Sequence, residues 1–476
     1  MEYTPPGRHK TLAAFRAHWR AVAPDLDCDP ELEGAAGPLG RPLAAFGRVL
    51  GNRFAIHPME GWDGTGDGLP SEHTVRRWRR FGRSGARLLW GGEAFAVASD
   101  GRANQRQLFL NPQRDMVGAL ARLRESARAG AREMGDDPDA LCIGLQLTHS
   151  GRYACVAPRR AVAHPVLDAR GGAGARPLLS DGELEGIGAH FVSAADAARQ
   201  AGFDFVDLKA CHGYLLHELL GARARPGPYG GDFDGRTRFF RRVLASIASQ
   251  CPGLRVAARV SVGDVIPYLR DPVHGRGAPA PWPGSTPYAH GFGVSEHDPA
   301  GFDLAEPLRF LAVLAQLGVR EVSVTLGSPY YCPHLQRPAT YPPSDGYLPP
   351  EDPLLSVARH LRAVRACKAA QRELVLVGAG YSYLQEYLAH VAQFELRHGH
   401  VDLVGLGRMV LAYPELPRDV LAGRPPDRRR LCRTFSDCTS APRNGLISGC
   451  YPLDEHYRAL PEAARLAHIK RGERAG

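Results

Sequence analysis

The sequence predicts a single (β/α)₈ TIM barrel, an α/β fold, with a long insertion after the fifth strand and a C-terminal extension. Eight short, mostly apolar runs recur along the 476 residues, and segments with helical spacing lie between most of them. Strands that are buried on both faces read as continuous apolar runs, and their alternation with helices favours a closed parallel sheet. The sequence has no internal repeat of about 20–50 residues, so it does not indicate a solenoid.

The predicted strands come first. They cover residues 53–59, 86–94, 141–152, 203–213, 254–262, 320–328, 373–380 and 400–408. Each run is short, rich in Val, Leu, Ile, Phe or Ala, and several end in Gly or in a polar residue. This pattern is typical of barrel strands whose carboxyl ends open onto a site.

The predicted helices lie between these strands. Residues 180–202 begin with a Ser-x-x-Glu capping box, Ser180 with Glu183, and place apolar residues such as Ile187 and Phe191 on one face. Gly202 ends the segment. We expect similar helices at residues 236–250, 304–317, 354–371 and 383–396.

The segment after the fifth strand is unusual. Residues 264–302 are rich in Pro, Gly, Tyr and His and are too long for an ordinary connection inside a barrel. Because they leave the carboxyl end of a strand, we expect them to act as a lid over the face where barrel enzymes do chemistry.

Composition limits the classes of function. Hydrophobic residues make up 44% and charged residues 23% of the chain, which is enough for a sizeable core. The net charge of +9 comes from arginines spread along the chain, and the basic run at 424–433 favours solubility over a phosphate-binding patch. No apolar run approaches the roughly 20 residues that cross a bilayer, and no secretory leader opens the sequence. We expect a cytoplasmic protein that acts on a small molecule and binds neither nucleic acid nor membrane; whether it forms a homo-oligomer stays open.

Polar side chains lie towards the ends of three consecutive predicted strands. The third strand ends in Gln146 and His149, the fourth in Lys209 and His212, and the fifth in Arg259. Each of them alone is more simply interpreted as a residue that caps the sheet. Several at the same end of neighbouring strands favour a site.

Two glycine-rich turns follow the seventh and eighth strands, at residues 378–381 and 405–408. Barrel enzymes often bind phosphate after these two strands. Glycines let backbone N–H groups approach a phosphate, and Arg408 adds a charged fork of donors. The paired turns predict a phosphate site.

The order of these motifs resembles that of the Old Yellow Enzyme family of FMN-dependent ene-reductases. The motifs that carry the resemblance are GNRFAIHPMEGW at the first strand, WGGEA at the second, LQLTHSGR at the third, AGFDFVDLKACHGYLLHELLGARARPGPYGG at the fourth and GLGR at the eighth. The resemblance covers residues 38–425 and implies one FMN-binding barrel there, with 264–302 as its insertion. Residues 1–37 and 426–476 are then N- and C-terminal extensions.

The resemblance also implies how FMN would be bound. Pro58, Met59 and Ala94 would lie against the isoalloxazine, Gln146 would bind its pyrimidine edge, and Arg259 would lie near its N1 and O2 atoms. Gly380, Gly407 and Arg408 would hold the phosphate, and Trp62 would line the substrate pocket. NADPH or NADH would be the reductant.

Three residues after the fourth strand carry the expected chemistry. In the family, two donors three residues apart bind the carbonyl oxygen of an α,β-unsaturated substrate, and a tyrosine protonates the α-carbon. Those positions hold Lys209, His212 and Tyr214 here. Donors aimed at an oxygen that gains negative charge stabilise the enolate.

The chain departs from the family pattern in three places. Lys209 replaces a histidine. Glu60 stands where a threonine or cysteine commonly tunes the flavin, and it can pair with Lys209. Cys432, Cys438 and Cys450 lack the fourth thiolate of an iron–sulfur site, so we interpret them as structural thiols and expect no metal.

The sequence therefore predicts an FMN-dependent oxidoreductase that reduces an activated C=C bond with electrons from NADPH or NADH. Three alternatives stay open. The same fold can carry a flavin-dependent dehydrogenase or demethylase, a flavin-free lyase that forms a Schiff base on Lys209, or a ligand binder without catalysis.

Overall fold

A computed structural model describes residues 3–170, 177–282, 284 and 287–472. Its strands, numbered in chain order, are β1 Leu43–Ala45, β2 Arg48–Leu50, β3 Phe54–Ile56, β4 Leu88–Leu89, β5 Ala94–Ala96, β6 Cys142–Thr148, β7 Phe205–Ala210, β8 Arg255–Gly263, β9 Tyr268–Arg270, β10 Gly277–Pro279, β11 Glu321–Leu326, β12 Val375–Gly378 and β13 Leu403–Leu406.

The central sheet is a closed parallel barrel. The barrel has eight strand positions, here called staves. The first is β3, the second is formed by β4 and β5 together, and the others are β6, β7, β8, β11, β12 and β13 in that order. The pairing of β13 with β3 and of β4 with both β3 and β6 closes the ring. The predicted (β/α)₈ fold is confirmed, and each stave lies within or overlaps a predicted strand.

The helices are α1 Leu12–Val22, α2 Glu72–Gly82, α3 Met116–Glu133, α4 Pro165–Arg170, α5 Asp181–Gln200, α6 Leu215–Leu220, α7 Phe233–Gln250, α8 Ala305–Gln316, α9 Pro333–Gln336, α10 Pro353–Ala370, α11 Leu388–Arg397, α12 Arg408–Ala412, α13 Leu416–Leu421, α14 Asp437–Arg443, α15 Glu455–Arg458 and α16 Pro461–Lys470. The capping box of Ser180 and Glu183 forms at the start of α5, as predicted.

The helix expected at residues 383–396 was wrong at its start. Residues 381–387 form a 3₁₀ segment, and the α-helix begins only at Leu388. Gln385 has φ 52° and ψ −116°, which breaks the helix. Its side-chain oxygen accepts the N–H of Gly7 at 3.0 Å and a guanidinium N–H of Arg433 at 2.6 Å. These long-range bonds stabilise a backbone that local periodicity does not predict.

Side chains point alternately inward and outward along each stave, so the inward ones form layers across the barrel interior. In β7, Phe205 packs in an apolar floor against Phe46 of the β1–β2 hairpin, with ring centroids 4.0 Å apart. Side chains two residues apart face the same side of a strand, so Asp207 lies above Phe205, and Lys209 lies above Asp207 at the mouth. The fold therefore places polar groups at the carboxyl ends of the strands.

The insertion at 264–302 contains the β9–β10 hairpin, joined in antiparallel register. Residues 283, 285 and 286 of this segment lie outside the described residues. Within the described part, none of its residues lines the large cavity at the barrel mouth. The role of a lid stays a prediction.

The basic run at residues 424–433 is matched by carboxylates. Arg428 and Arg433 pair with Glu386, and Arg430 pairs with Glu415. These ion pairs fold the start of the C-terminal extension back onto the barrel.

Among the residues that the structure describes, no helix has both the length and the apolar character needed to cross a bilayer.

A close crossing of α2 and α3 gives a test of the fold. A Cβ atom at Gly130 would lie 1.9 Å from the carbonyl oxygen of Arg79, whereas one at Gly186, on an exposed turn of α5, meets nothing within 4 Å. We expect Gly130→Ala to lower the free energy of unfolding by about 1–3 kcal/mol, because the helices must move apart. The matched Gly186→Ala should raise it by about 0.5–1 kcal/mol through helix propensity.

Urea denaturation of both variants measures these changes. A Gly130→Ala variant as stable as Gly186→Ala would show that the two helices do not pack this closely.

Candidate functional site

A large cavity opens at the carboxyl end of the barrel. Its volume is about 220 Å³, and its mouth is open to solvent. Most predicted site residues line it: Pro58, Met59, Glu60, Trp62, Gln146, Lys209, His212, Tyr214, Arg259, Gly380, Gly407 and Arg408.

Ala94 is a predicted site residue that does not line the cavity. It is buried in β5, where it pairs with Gln146 of β6, and its carbonyl oxygen accepts the amide N–H of Gln107 at 2.8 Å. In this structure Ala94 therefore supports the strand that carries Gln146.

Glu60 joins the residues predicted to do chemistry. One carboxylate oxygen accepts from the ammonium of Lys209, and the other accepts the hydroxyl of Tyr214 at 2.6 Å. The expected ion pair is present, but the link to Tyr214 was not predicted. The ammonium also lies 3.8 Å from the centroid of the Tyr214 ring. Lys209 is thereby directed at Glu60 and at the phenol ring.

Tyr330 extends this network. Its hydroxyl lies 2.7 Å from the Tyr214 hydroxyl, and its ring stacks on Tyr153 with centroids 3.9 Å apart. Because the single proton of Tyr214 goes to Glu60, Tyr330 donates to the Tyr214 oxygen. The order of donation is therefore Tyr330 to Tyr214 to Glu60.

Burial controls ionisation here. It raises the pKa of Tyr214 well above 10, and the nearby charge of Glu60 raises it further. Burial also lowers the pKa of His212 well below 6.5, with added contributions from Arg259 and Lys209. At neutral pH Tyr214 keeps its proton, and His212 is a neutral imidazole.

A hydrogen bond to Asp207 orients the side chain of Gln146. Asp207 accepts its amide N–H at 2.6 Å and the indole N–H of Trp90 at 2.8 Å. Burial raises the pKa of Asp207 to about 6. With its nitrogen engaged, Gln146 presents its oxygen to the cavity as an acceptor.

Arg259 lies in β8, beside Lys209 of β7 in the parallel register. One of its Nη atoms lies 3.5 Å from the carbonyl oxygen of Pro58. Its Nε has no hydrogen-bond partner among the described residues. The guanidinium therefore has donor capacity left for a ligand.

A buried ion-pair network holds the segment that carries Glu60. Arg77 of α2 donates to Asp63 at 2.9 and 3.0 Å and to Glu93 at 2.5 Å, and Glu93 accepts the backbone N–H of Gly61 at 3.1 Å. Burial raises the pKa of Glu93, while Arg77 opposes that shift. The network ties residues 61–63 to the second stave.

Two residues with left-handed backbones flank the chemistry. Trp62 has φ 47° and His212 has φ 65°. Such values are uncommon for residues other than glycine and concentrate at functional sites. Strand-end position could have indicated Tyr330 in the sequence, but no local signal marks Arg77.

The predicted phosphate turns meet at one side of the cavity. Gly380 has φ 94°, and a Cβ atom at Gly407 would meet only the sulfur of Met59, at 4.0 Å. Arg408 donates one N–H to the carbonyl oxygen of Pro338 at 2.8 Å, and its other Nη has no partner among the described residues. An open glycine turn beside an unpaired guanidinium fits a phosphate.

The three cysteines of the C-terminal extension are free thiols. Cys432 and Cys450 are buried, and Cys438 lines the cavity. In the described part of the chain, no group of three or more His, Cys, Asp or Glu side chains is placed to hold a metal ion.

Comparison with known proteins shows what the chain is similar to. The model of the NADH:flavin oxidoreductase / NADH oxidase family matches residues 42–272, just under half of the chain. An NADPH dehydrogenase of Bacillus subtilis is 29% identical over 235 residues, which are 48% of this chain and 65% of that protein. The Old Yellow Enzyme of a Pichia species has a TM-score of 0.57 and 20% identity, covering 84% of this chain and 92% of that one. Over residues 42–272 the chain is similar to the NADH:flavin oxidoreductase / NADH oxidase family, and its fold is similar to that of Old Yellow Enzyme.

The fold is also similar to that of a solved 2-naphthoyl-CoA reductase. Its TM-score is 0.64 at 17% identity, covering 88% of this chain and 57% of that one. The chain spans about half to two thirds of the length of the curated relatives it matches.

FMN is the family's cofactor, with NADH or NADPH as reductant. The residues of this chain fit FMN at two points. The open space at Gly407 beside the partnerless Nη of Arg408 suits its phosphate. The Gln146 oxygen and the free Arg259 Nε supply an acceptor and a donor for a polar ring edge.

The Arg77 network generates a stability prediction. The Arg77 side chain is 6% exposed and both of its carboxylate partners 0%. Arg77→Met leaves two buried carboxylates unpaired and should lower the free energy of unfolding by about 3–5 kcal/mol. Arg79→Met on the same helix breaks an exposed pair with Glu133 and should cost about 0–1 kcal/mol.

Chemical denaturation of the two variants side by side measures the difference. Equal losses would show that the buried network does not stabilise the fold.

Proposed function

We propose that this protein is an FMN-dependent oxidoreductase that reduces an activated C=C bond, conjugated to a carbonyl, with electrons from NADPH or NADH. The observation that carries the proposal is the tyrosine Tyr214, held by Glu60 and Lys209 in the same cavity as the phosphate turns. A proton donor and a cofactor cradle thus face one enclosed space.

In this proposal Gly380, Gly407 and Arg408 hold the FMN phosphate, and Gln146 and Arg259 hold the polar edge of the ring. When bound, FMN supplies the hydride that adds to the β-carbon of the double bond. The remaining steps belong to side chains of the protein.

Tyr214 supplies the proton. Its O–H bond breaks as a C–H bond forms at the α-carbon, which leaves a phenolate on Tyr214. The hydroxyl must first turn from Glu60 towards the substrate, and hydroxyl hydrogens rotate freely enough to do so. Tyr330, which donates to the same oxygen, stabilises the phenolate.

Glu60 and Lys209 restore the proton. Lys209 passes one from Nζ to the carboxylate of Glu60, the carboxyl group turns and passes that same proton to the Tyr214 phenolate, and solvent reprotonates the lysine. Lys209 is then a proton reservoir that acts through Glu60, and His212 remains as the neutral donor for the carbonyl oxygen. This differs from the sequence expectation, in which Lys209 itself binds that oxygen.

The ion pair disfavours the lyase alternative. A Schiff base needs an unprotonated amine, and a carboxylate in contact with Lys209 stabilises the ammonium. The dehydrogenase alternative keeps one specific observation in its favour: a phenol that donates to a carboxylate can also release its proton there, so that Tyr214 would accept one from a substrate.

The cofactor can be tested on the purified protein. We expect a flavin absorbance spectrum that bleaches when NADPH or NADH is added without oxygen, and that returns when a cyclic enone is added. A colourless protein that FMN does not reconstitute would overturn the proposal. Bleaching without reoxidation by any enone, but with reduction by amines, would favour the dehydrogenase.

The role of Tyr214 can be tested by separating the two half-reactions. Tyr214→Phe should slow the reoxidation by enone about 10²- to 10⁴-fold, the usual contribution of general acid catalysis, and leave flavin reduction by NADPH unchanged. Tyr229→Phe is the matched control, since Tyr229 is also buried and donates to a carboxylate, Glu185, outside the cavity.

Stopped-flow absorbance measures both half-reactions. Equal slowing of the two in Tyr214→Phe would contradict a role as proton donor.

A further inference from the structure

Three arginines face the same cavity from separate segments of the chain. Arg337 follows α9, Arg408 begins α12, and Arg443 ends α14 in the C-terminal extension. None of these segments is close to another in sequence, so only the tertiary fold brings the three guanidinium groups together.

The three guanidinium groups have few acidic partners. Arg443 pairs with Asp345 at 2.5 Å, and that aspartate side chain is 57% exposed. The other two donate hydrogen bonds to neutral groups: Arg337 to the hydroxyl of Thr439, and Arg408 to the carbonyl oxygen of Pro338. The cluster therefore carries an excess of positive charge.

Donor capacity is left over as well. The Nε and one Nη of Arg337 are shielded from solvent and have no hydrogen-bond partner in the described part of the chain. Burial, together with the charges of Arg408 and Arg443, lowers the pKa of Arg337 to about 9. Shielded, unpaired charged donors are costly, and an anion in the cavity would remove that cost.

The two ends of this arginine cluster have different neighbours. Arg408 lies at the phosphate turns with Gly407. Arg443 donates to the carbonyl oxygen of Pro329 at 3.0 Å, and its charge acts on the adjacent Tyr330. Tyr330 is hydrogen-bonded to the proton donor Tyr214, so Arg443 lies towards the reacting end of the cavity.

We propose that Arg337 and Arg443, with the hydroxyl of Thr439, form an oxyanion subsite distinct from the phosphate site at Arg408. The subsite binds a carboxylate or phosphate carried by the small molecule that enters the cavity. That molecule is either an acidic acceptor or the nicotinamide nucleotide, an assignment that rests on the proposed function.

Binding of inorganic sulfate tests the subsite without turnover. The protein with its bound cofactor is titrated with sodium sulfate at constant ionic strength, and the melting temperature is recorded. We expect sulfate to stabilise the wild type and to lose this effect in Arg337→Gln and in Arg443→Gln. Arg429→Gln, at an arginine whose side chain is 90% exposed, is the matched control and should respond like the wild type.

The amount of bound FMN is measured in each variant. Retained FMN with lost sulfate stabilisation supports a separate subsite. Lost FMN in Arg443→Gln would assign that arginine to the cofactor phosphate and overturn the proposal, as would unchanged sulfate stabilisation in both variants. If Arg337→Gln does not fold, Arg443→Gln carries the test alone.

Kinetics then separate the two sources of the anion. An enone with a carboxylate is compared with its methyl ester, and NADPH with an uncharged N-benzyl dihydronicotinamide. Loss of a charge-assisted hydrogen bond should raise the KM of the anionic partner about 10- to 100-fold in Arg443→Gln and leave its neutral analogue unchanged. A KM increase for the enone carboxylate alone identifies an acidic acceptor, and one for NADPH alone identifies the nucleotide.

Equal KM values for all four compounds in wild type and variant would overturn the subsite. If sulfate binds through Arg337 and Arg443 but no flavin turnover occurs, the subsite stands and the proposed function fails.

Discussion

The candidate site depends on one buried guanidinium. Arg77 is clamped between Asp63 and Glu93, and through them it fixes the segment after the first stave against the second. That segment carries Glu60 and Trp62 across the mouth of the barrel. Burial raises the pKa of Glu93, and the buried group is tolerated because every guanidinium edge of Arg77 is hydrogen-bonded. Without this clamp, nothing in the local sequence would hold Glu60 against Lys209.

The barrel supplies the rest of the site by alternation. Side chains two residues apart along β7 rise from an apolar floor at Phe205 to Asp207 and then Lys209, and the parallel register sets Arg259 beside Lys209. Each level is more polar than the one below it. The polar groups are therefore positioned by strand geometry, and their hydrogen bonds orient them within it: Asp207 fixes Gln146, and Glu60 fixes Lys209 and Tyr214.

Charge is distributed unevenly over the cavity. Glu60 offsets Lys209 at the reacting end, whereas Arg337 and Arg408 have no acidic partner among the hydrogen bonds and ion pairs described for them. An enclosed, positively charged wall attracts anions and stabilises negative charge that develops nearby. This distribution suits the phosphate of FMN, and it would also suit the anionic second ligand and the enolate of the reaction proposed above.

The sequence alone determined the barrel and much of the lining of its mouth. Local patterns in the sequence are the alternation of strands and helices, the Ser180 capping box and the strand-end residues Gln146, Lys209 and Arg259. Barrel geometry then predicts where in the fold these residues lie. Opposite charge was enough to predict the pair of Glu60 with Lys209. Tertiary structure decided what those residues contact. Tyr214 is hydrogen-bonded to Glu60, which is 154 positions away in the sequence, and to Tyr330, which is 116 positions away. Gln385, where a predicted helix is broken, accepts a hydrogen bond from Gly7. Contacts between residues so far apart in the sequence depend on how the barrel closes and on how the C-terminal extension packs against it. Local periodicity in the sequence predicts neither.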